Sequence, residues 1–184
     1  HGGIYPGVNA NGILEKDINL QIAKKIQQLA RDYQIEVIMT READEIPGQF
    51  NNLKGDLLYR AGVPAKENAD LFVSIHLNAN EKNGRQPNSG FEIYVPKNAS
   101  SVYPGSVKLG SSISGFIHKD YAIAPELKQS EAGVLVLDKA TVPAITIECG
   151  FIDNKTDLDF ITNEKYQEEI ARDILEGIRK YNLN

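Results

Sequence analysis

The chain lacks most of the features that would assign its class at once. It holds a single cysteine, Cys149, so no internal disulfide can form and a disulfide scaffold is excluded, while the compartment stays open. No apolar run reaches the roughly 18 residues needed to span a bilayer. The first residues are "HGG" rather than the charged stretch followed by an apolar one that marks a signal peptide, and the sequence reads as a soluble, processed or trimmed piece. Lysine and arginine number 20 against 25 aspartates and glutamates; with no block of one sign, nothing points to nucleic acid or to an anionic membrane as partner. Repeats, linkers and low-complexity segments are missing as well. A length of 184 residues suits one domain with a real core, since domains commonly run to roughly 100 to 200 residues.

What is present is hydrophobic periodicity. Ile18, Ile22, Ala23, Ile26, Leu29, Ala30 and Tyr33 recur at three and four residues and predict an amphipathic helix from about Asp17 to Tyr33. "EVIMT" at 36–40 reads as a buried strand, and residues 54–70 as a helical passage disturbed by Gly62 and Pro64. "LFVSIH" at 71–76 has the composition of a strand buried on both faces. A loop at 79–89 precedes the alternating strand "GFEIYV" at 90–95, and a second loop covers 97–105. Val107, Leu109, Ile113, Phe116 and Ile117 give a weaker helical pattern interrupted by Gly110 and Gly115, and 120–132 looks irregular. "GVLVL" at 133–137 and "AITIECG" at 144–150 read as strands, and Tyr166 to Tyr181 as a clean closing helix. Strands separated by helices predict an α/β fold: one twisted, mostly parallel (mixed) sheet flanked by helices on both faces, with 90–95 as its antiparallel member.

Chemistry concentrates where these elements meet loops. His76 ends an apolar strand, and the carboxyl ends of strands are where open α/β sheets bind ligands; the plainer reading is a histidine that caps the strand. His1 in "HGG" and Glu15 in "GILEKDINL" stand at similar junctions. Two imidazoles and a carboxylate with a fourth position left open form the donor set of a catalytic rather than a structural zinc. Against that, Glu15 could serve only the helix dipole, and His1 could be a terminal or tag-like residue. Glu148 in "AITIECGFIDN" repeats the design of the His76 strand. A carboxylate just outside a metal's ligands can take a proton from water and hand it to a leaving amine; the alternative is a buried ion pair with Arg41 or Arg60. Cys149 has neither a helix amino terminus nor a paired histidine in the sequence around it, and reads as small apolar packing. His118 reads as a surface histidine.

Taken in order, "HGG", "GILEKDIN", "TREAD", "YRAGVPAKENADLFVSIHLNAN" and "VPAITIECGFIDN" resemble the zinc-dependent N-acetylmuramoyl-L-alanine amidases of the type-3 amidase family over essentially the whole chain. The resemblance implies one catalytic domain over 1–184, one zinc ion held by His1, Glu15 and His76, and Glu148 as the catalytic glutamate. It implies hydrolysis of the amide between the lactyl group of N-acetylmuramic acid and the L-alanine of the peptidoglycan stem peptide. Arg41, Arg60, Asn68 and Asn78 fit the family pattern and would orient substrate or support the ligands, or else make structural ion pairs and turn hydrogen bonds. A monomer in the periplasm or cell wall is implied, with peptidoglycan as partner. Some relatives carry a helix that blocks the metal until an activator protein withdraws it; no apolar plug of that kind stands out in 97–132. Two departures are visible: the apolar strand that members carry ahead of the first histidine is absent, and Tyr5 stands where they place an acidic residue. The alternatives are a zinc peptidase of related architecture and a catalytically silent peptidoglycan-binding module.

Overall fold

The amphipathic repeat folds as expected and sets the frame for the rest. In the computed structural model, which describes residues 1–50, 52–80, 88–117, 119, 121, 126–130 and 134–183, strands β1 (Asn9–Ala10) and β2 (Ile13–Leu14) form a small hairpin. Its turn is Asn11-Gly12, both at positive φ, the residue pair that a two-residue hairpin requires. The hairpin runs straight into α1 (Glu15–Leu29), which a 3-10 turn over Ala30–Tyr33 extends to the predicted end. There follow α2 (Leu53–Lys66), β3 (Phe72–Asn78), β4 (Glu92–Val95), α3 (Tyr103–Ile117), β5 (Lys128–Gln129), α4 (Leu135–Asp138), β6 (Ala144–Phe151), α5 (Lys155–Ile161) and α6 (Glu164–Asn182).

The main sheet has the order β3-β6-β4-β5. β3 is parallel to β6, β4 antiparallel to β6, and β5 parallel to β4, so the mixed sheet and its antiparallel 90–95 segment agree with the reading of the sequence. Strand alternation divides the sheet into two faces. Val73, Ile75, Ile93, Ile145 and Ile147 pack with α1, α3 and α6 into the main core, where Ile22, Ile113 and Ile174 are fully buried. Each such isoleucine contributes about 2 kcal/mol of burial free energy. On the other face Phe72, Tyr94 and Ala144 meet Leu57 of α2 and Val136 and Leu137 of α4 in a smaller cluster. Helices therefore cover both faces.

Three local expectations change. Residues 35–39 alternate in burial, as "EVIMT" suggests for a strand, but make no ladder among the described residues. They stand across a groove of about 620 Å³ from the open edge of β3, with Leu57 and Ile174 also in its wall, and backbone separated by a groove cannot pair. "GVLVL" is not a strand: from Leu135 the chain turns as α4, and Val136 and Leu137, adjacent in sequence, are both buried. An alternating strand would send one of them to solvent, so packing overrides β propensity. α2 runs unbroken through Pro64, which is buried, and closes through the Glu67 amide on the Val63 carbonyl. Two elements the periodicity missed, the β1–β2 hairpin and α5, carry local signals instead: Asn11-Gly12, and an Asn154 side chain that caps the amides of Thr156 and Asp157. Most of 120–132, and His118, lie outside the described residues.

α3 and α6 pack closely at Gly177, where an added Cβ would come within 2.5 Å of the Ile113 Cα. Backbone cannot yield as a flexible side chain does. Gly177→Ala is expected to lower stability by about 1 to 3 kcal/mol, read as a reduced urea midpoint; an unchanged midpoint would mean that the two helices slide apart freely.

Candidate metal centre

Glu15 opens α1, and its side chain is buried, at 2 % exposure. Its Oε2 accepts from the Val8 amide at 2.9 Å, and its Oε1 from the Leu77 amide at 3.1 Å and from Asn19 Nδ2 at 3.2 Å. Two histidines close on the same carboxylate: His76 Nδ1 lies 2.9 Å from Oε1 and His1 Nε2 3.3 Å from Oε2. The three candidate ligand atoms all lie within 4.8 Å of one another, and the two imidazoles meet edge to face with centroids 5.2 Å apart. Burial pushes the Glu15 carboxyl up, but the hydrogen bond and charge of His76 and the amides of Val8 and Leu77 outweigh it and hold the group below its ordinary value. An anionic oxygen with two imidazole nitrogens, converging from three elements, fits a divalent metal ion. His76 Nε2 meets Ser74 Oγ at 2.9 Å, which fixes the ring with Nδ1 toward Glu15.

Local chain geometry makes this convergence possible. Gly7 sits at φ +72°, and a Cβ there would fall 2.1 Å from Glu15 Oε2, so the turn that brings the Val8 amide to the carboxylate needs glycine. The "HGG" turn is closed by paired hydrogen bonds between Gly2 and Tyr5. Lys16 Nζ donates to the Gly3 carbonyl and to Asp44, whose carboxylate also accepts from the Gly3 amide. His1 is thus anchored through the turn that follows it.

Glu148 is the direct cross-strand neighbour of His76 on β6, and Glu92 of β4 is its neighbour on the other side. Paired residues share a face, so His76, Glu148 and Glu92 form one row at the sheet's edge. Glu148 Oε2 is buried and has no hydrogen-bond partner. Burial pushes its carboxyl up to about 7, against the pull of His76 and with the charges of Glu15 and Glu92 adding to the rise. The arginine pairing considered for Glu148 does not form. Arg41 donates to the Ala43 and Lys16 carbonyls, and its stem packs under Gly2. Arg60 bonds both Asp56 oxygens at 3.1 Å and Thr40 Oγ1 at 3.1 Å. Asn78 Nδ2 donates to Glu92 Oε2 at 3.2 Å, which ties the end of β3 to β4. Asn68 is exposed at φ +54°, a turn position ahead of β3 and at the far end of that strand from His76. Gly7, Asn19, the Lys16–Asp44 clamp and Glu92 were not singled out from the sequence; only the glycine in "PGVN" carries a turn signal that could have flagged its position.

Residues 1–180 match the family model described as N-acetylmuramoyl-L-alanine amidase. The chain belongs to that amidase family. It is 29 % identical to the germination-specific N-acetylmuramoyl-L-alanine amidase of Bacillus subtilis, over 98 % of this chain and 76 % of the relative. It is 34 % identical to an endolysin of Bacillus phage SPP1, over 97 % of this chain and 62 % of that protein. Among solved structures, the CwlD amidase of Clostridioides difficile in complex with the GerS lipoprotein matches with a TM-score of 0.83 at 31 % identity, covering 100 % of this chain and 94 % of that one. As an amidase of this family the chain is an enzyme acting on peptidoglycan, and its α/β architecture is the one its relatives share. None of its described helices is long and apolar enough to cross a membrane.

Two expectations follow from the site's construction. Gly7→Ala would displace the Glu15 carboxylate and should weaken metal retention by about 10- to 100-fold, measured by competition with a chromogenic chelator; unchanged retention would mean that the carboxylate has room to move. Cys149 is fully enclosed and burial pushes its thiol far up, so it has no thiolate to offer. Native protein should resist iodoacetamide, and Cys149→Ala should keep its activity while losing about 1 kcal/mol of stability; rapid alkylation of the folded protein would contradict this.

Proposed function

We propose that the chain cleaves the amide between the lactyl group of N-acetylmuramic acid and the L-alanine of the stem peptide, using zinc held by His1, Glu15 and His76, with Glu148 as base and acid. What carries this reading is a glutamate whose buried oxygen is unpartnered and whose carboxyl is raised to about 7, one strand away from a His/Glu/His group able to hold a metal. Zinc bound there would supply Lewis acidity to the scissile carbonyl and to water. Glu148 supplies the proton traffic. At a value near neutrality its Oε2 can accept a proton from the attacking water and later return it to the departing L-alanine nitrogen, with neither state costly to reach. Glu15 contributes a permanent negative charge, and Ser74 and the strand backbone keep the His76 ring from rotating. Zinc is favoured over a harder ion because two of the three donors are imidazoles.

The proposal extends to one catalytic domain over 1–184, acting as a monomer on the wall side of the membrane. The relative solved in complex with a lipoprotein supports a protein partner for this chain, for which an activator is the role proposed. The test is elemental analysis of the purified protein together with muropeptide digestion followed by mass spectrometry. About one zinc per chain and release of intact stem peptide are expected. Glu148→Gln should keep the zinc and slow hydrolysis by about 100- to 10,000-fold; full activity in that variant would remove the base from the scheme. Cleavage of stem peptides lacking muramic acid would favour the peptidase, and absence of both zinc and cleavage would favour a silent binding module.

A further inference from the structure

The carboxylate row does not end at Glu148. Glu92, its neighbour on β4, is 8 % exposed and uses both oxygens: Oε2 accepts from Asn78 Nδ2 at 3.2 Å and from the Tyr94 hydroxyl at 2.9 Å, and Oε1 accepts from Lys128 Nζ at 2.5 Å. Three elements, β3, β4 and β5, therefore meet on one buried carboxylate. Lys128 is not buried with it; its side chain is 43 % exposed, and its ammonium also stands 5.8 Å from the centre of the Tyr94 ring. An ordinary surface lysine has a mobile ammonium and loses side-chain freedom when a ligand fixes it. Here the fixing is done before any ligand arrives.

Charge gives this arrangement a purpose. Glu15, Glu148 and Glu92 gather three carboxyl groups around and beside His76. On the amidase reading, on which this inference rests, the muramic acid carboxyl is consumed in the scissile amide, so the substrate's negative charges all lie in its peptide. Zinc at its proposed ligands would be taken up by the scissile carbonyl and water, so a peptide carboxylate beyond them needs a cation of the chain's own. Arg41 and Arg60 are buried, Arg60 with its Nη2 left unpartnered, whereas Lys128 reaches solvent and has N–H groups to spare beyond the one given to Glu92. We propose that Lys128 is a specificity-determining residue that binds a carboxylate of the stem peptide on the leaving-group side, and that Glu92 is the positioning residue that holds its ammonium.

The experiment compares two muropeptides that differ only at the residue after L-alanine, a γ-linked D-glutamate bearing either a free α-carboxylate or a carboxamide. The wild type is expected to favour the carboxylate by about tenfold in kcat/KM, mostly through KM, the scale of one partly exposed charge-assisted hydrogen bond. Lys128→Met should bring that ratio close to one, Lys128→Arg should keep most of it, and Glu92→Gln should reduce it at unchanged zinc content. Raising the salt to about 1 M, where the screening length is about 3 Å, should shrink the wild-type ratio with no mutation at all, so the answer does not hinge on a variant's folding. Equal cleavage of both substrates by the wild type, or an undiminished ratio in Lys128→Met, overturns the inference and leaves the amidase reading intact. Cleavage of neither substrate by zinc-loaded wild type overturns both.

Discussion

A carboxylate buried at the start of a helix is the constraint around which this structure is arranged. Taking such a group out of water costs several kcal/mol, and Glu15 offsets that cost through His76 and through donors from separate parts of the chain: Val8 ahead of the hairpin, Asn19 one turn along α1, and Leu77 on β3. Each donor has its own geometric demand. Val8 needs the left-handed Gly7, and Leu77 must turn its amide to the open edge of β3 rather than to another strand. His1 and His76 arrive at the same two oxygens because the carboxylate has already gathered their neighbours.

The sheet separates stability from chemistry by its alternation. One face presents the isoleucines and valines that join α1, α3 and α6 into the main core. The other presents Ser74 and His76, Thr146 and Glu148, Glu92 and Tyr94 along three adjacent strands. Titratable groups are thus spaced by the strand ladder itself, which deforms little. At the far end of β6, Gly150 at φ +133° lets the chain turn, and the Asp157 carboxylate accepts from the amides of Phe151 and Gly90, pinning the base of the Glu92 strand to the end of the Glu148 strand.

Much of this was legible in the sequence because the informative residues stood at boundaries. The periodic helices α1 and α6 and the apolar strands β3 and β6 carry strong local signals, and His76 and Glu148 are conspicuous as polar residues ending apolar runs. His1, Glu15 and His76, the residues proposed to hold the metal, stand together in space. What could not be read was tertiary in origin. "GVLVL" has strand composition but folds over a small cluster that needs Val136 and Leu137 on one side. "EVIMT" has the burial alternation of a strand but pairs with none among the described residues. Glu92 looks like any polar position in an alternating strand, and only the register of β4 against β6 reveals what it faces.

Among the described residues β3 draws its ladder bonds from β6 alone. His76 is consequently held in place by the very strand that carries Glu148, although the two are far apart in the chain. Ligand and base then share one cooperative unit, and an opening that strips β6 from the sheet loses both together. A partly unfolded form that keeps its metal while lacking its base has no structural support. In folding, the same pairing is a long-range contact and so among the slower to form, which makes competence to hold the ion a late event rather than a nucleus.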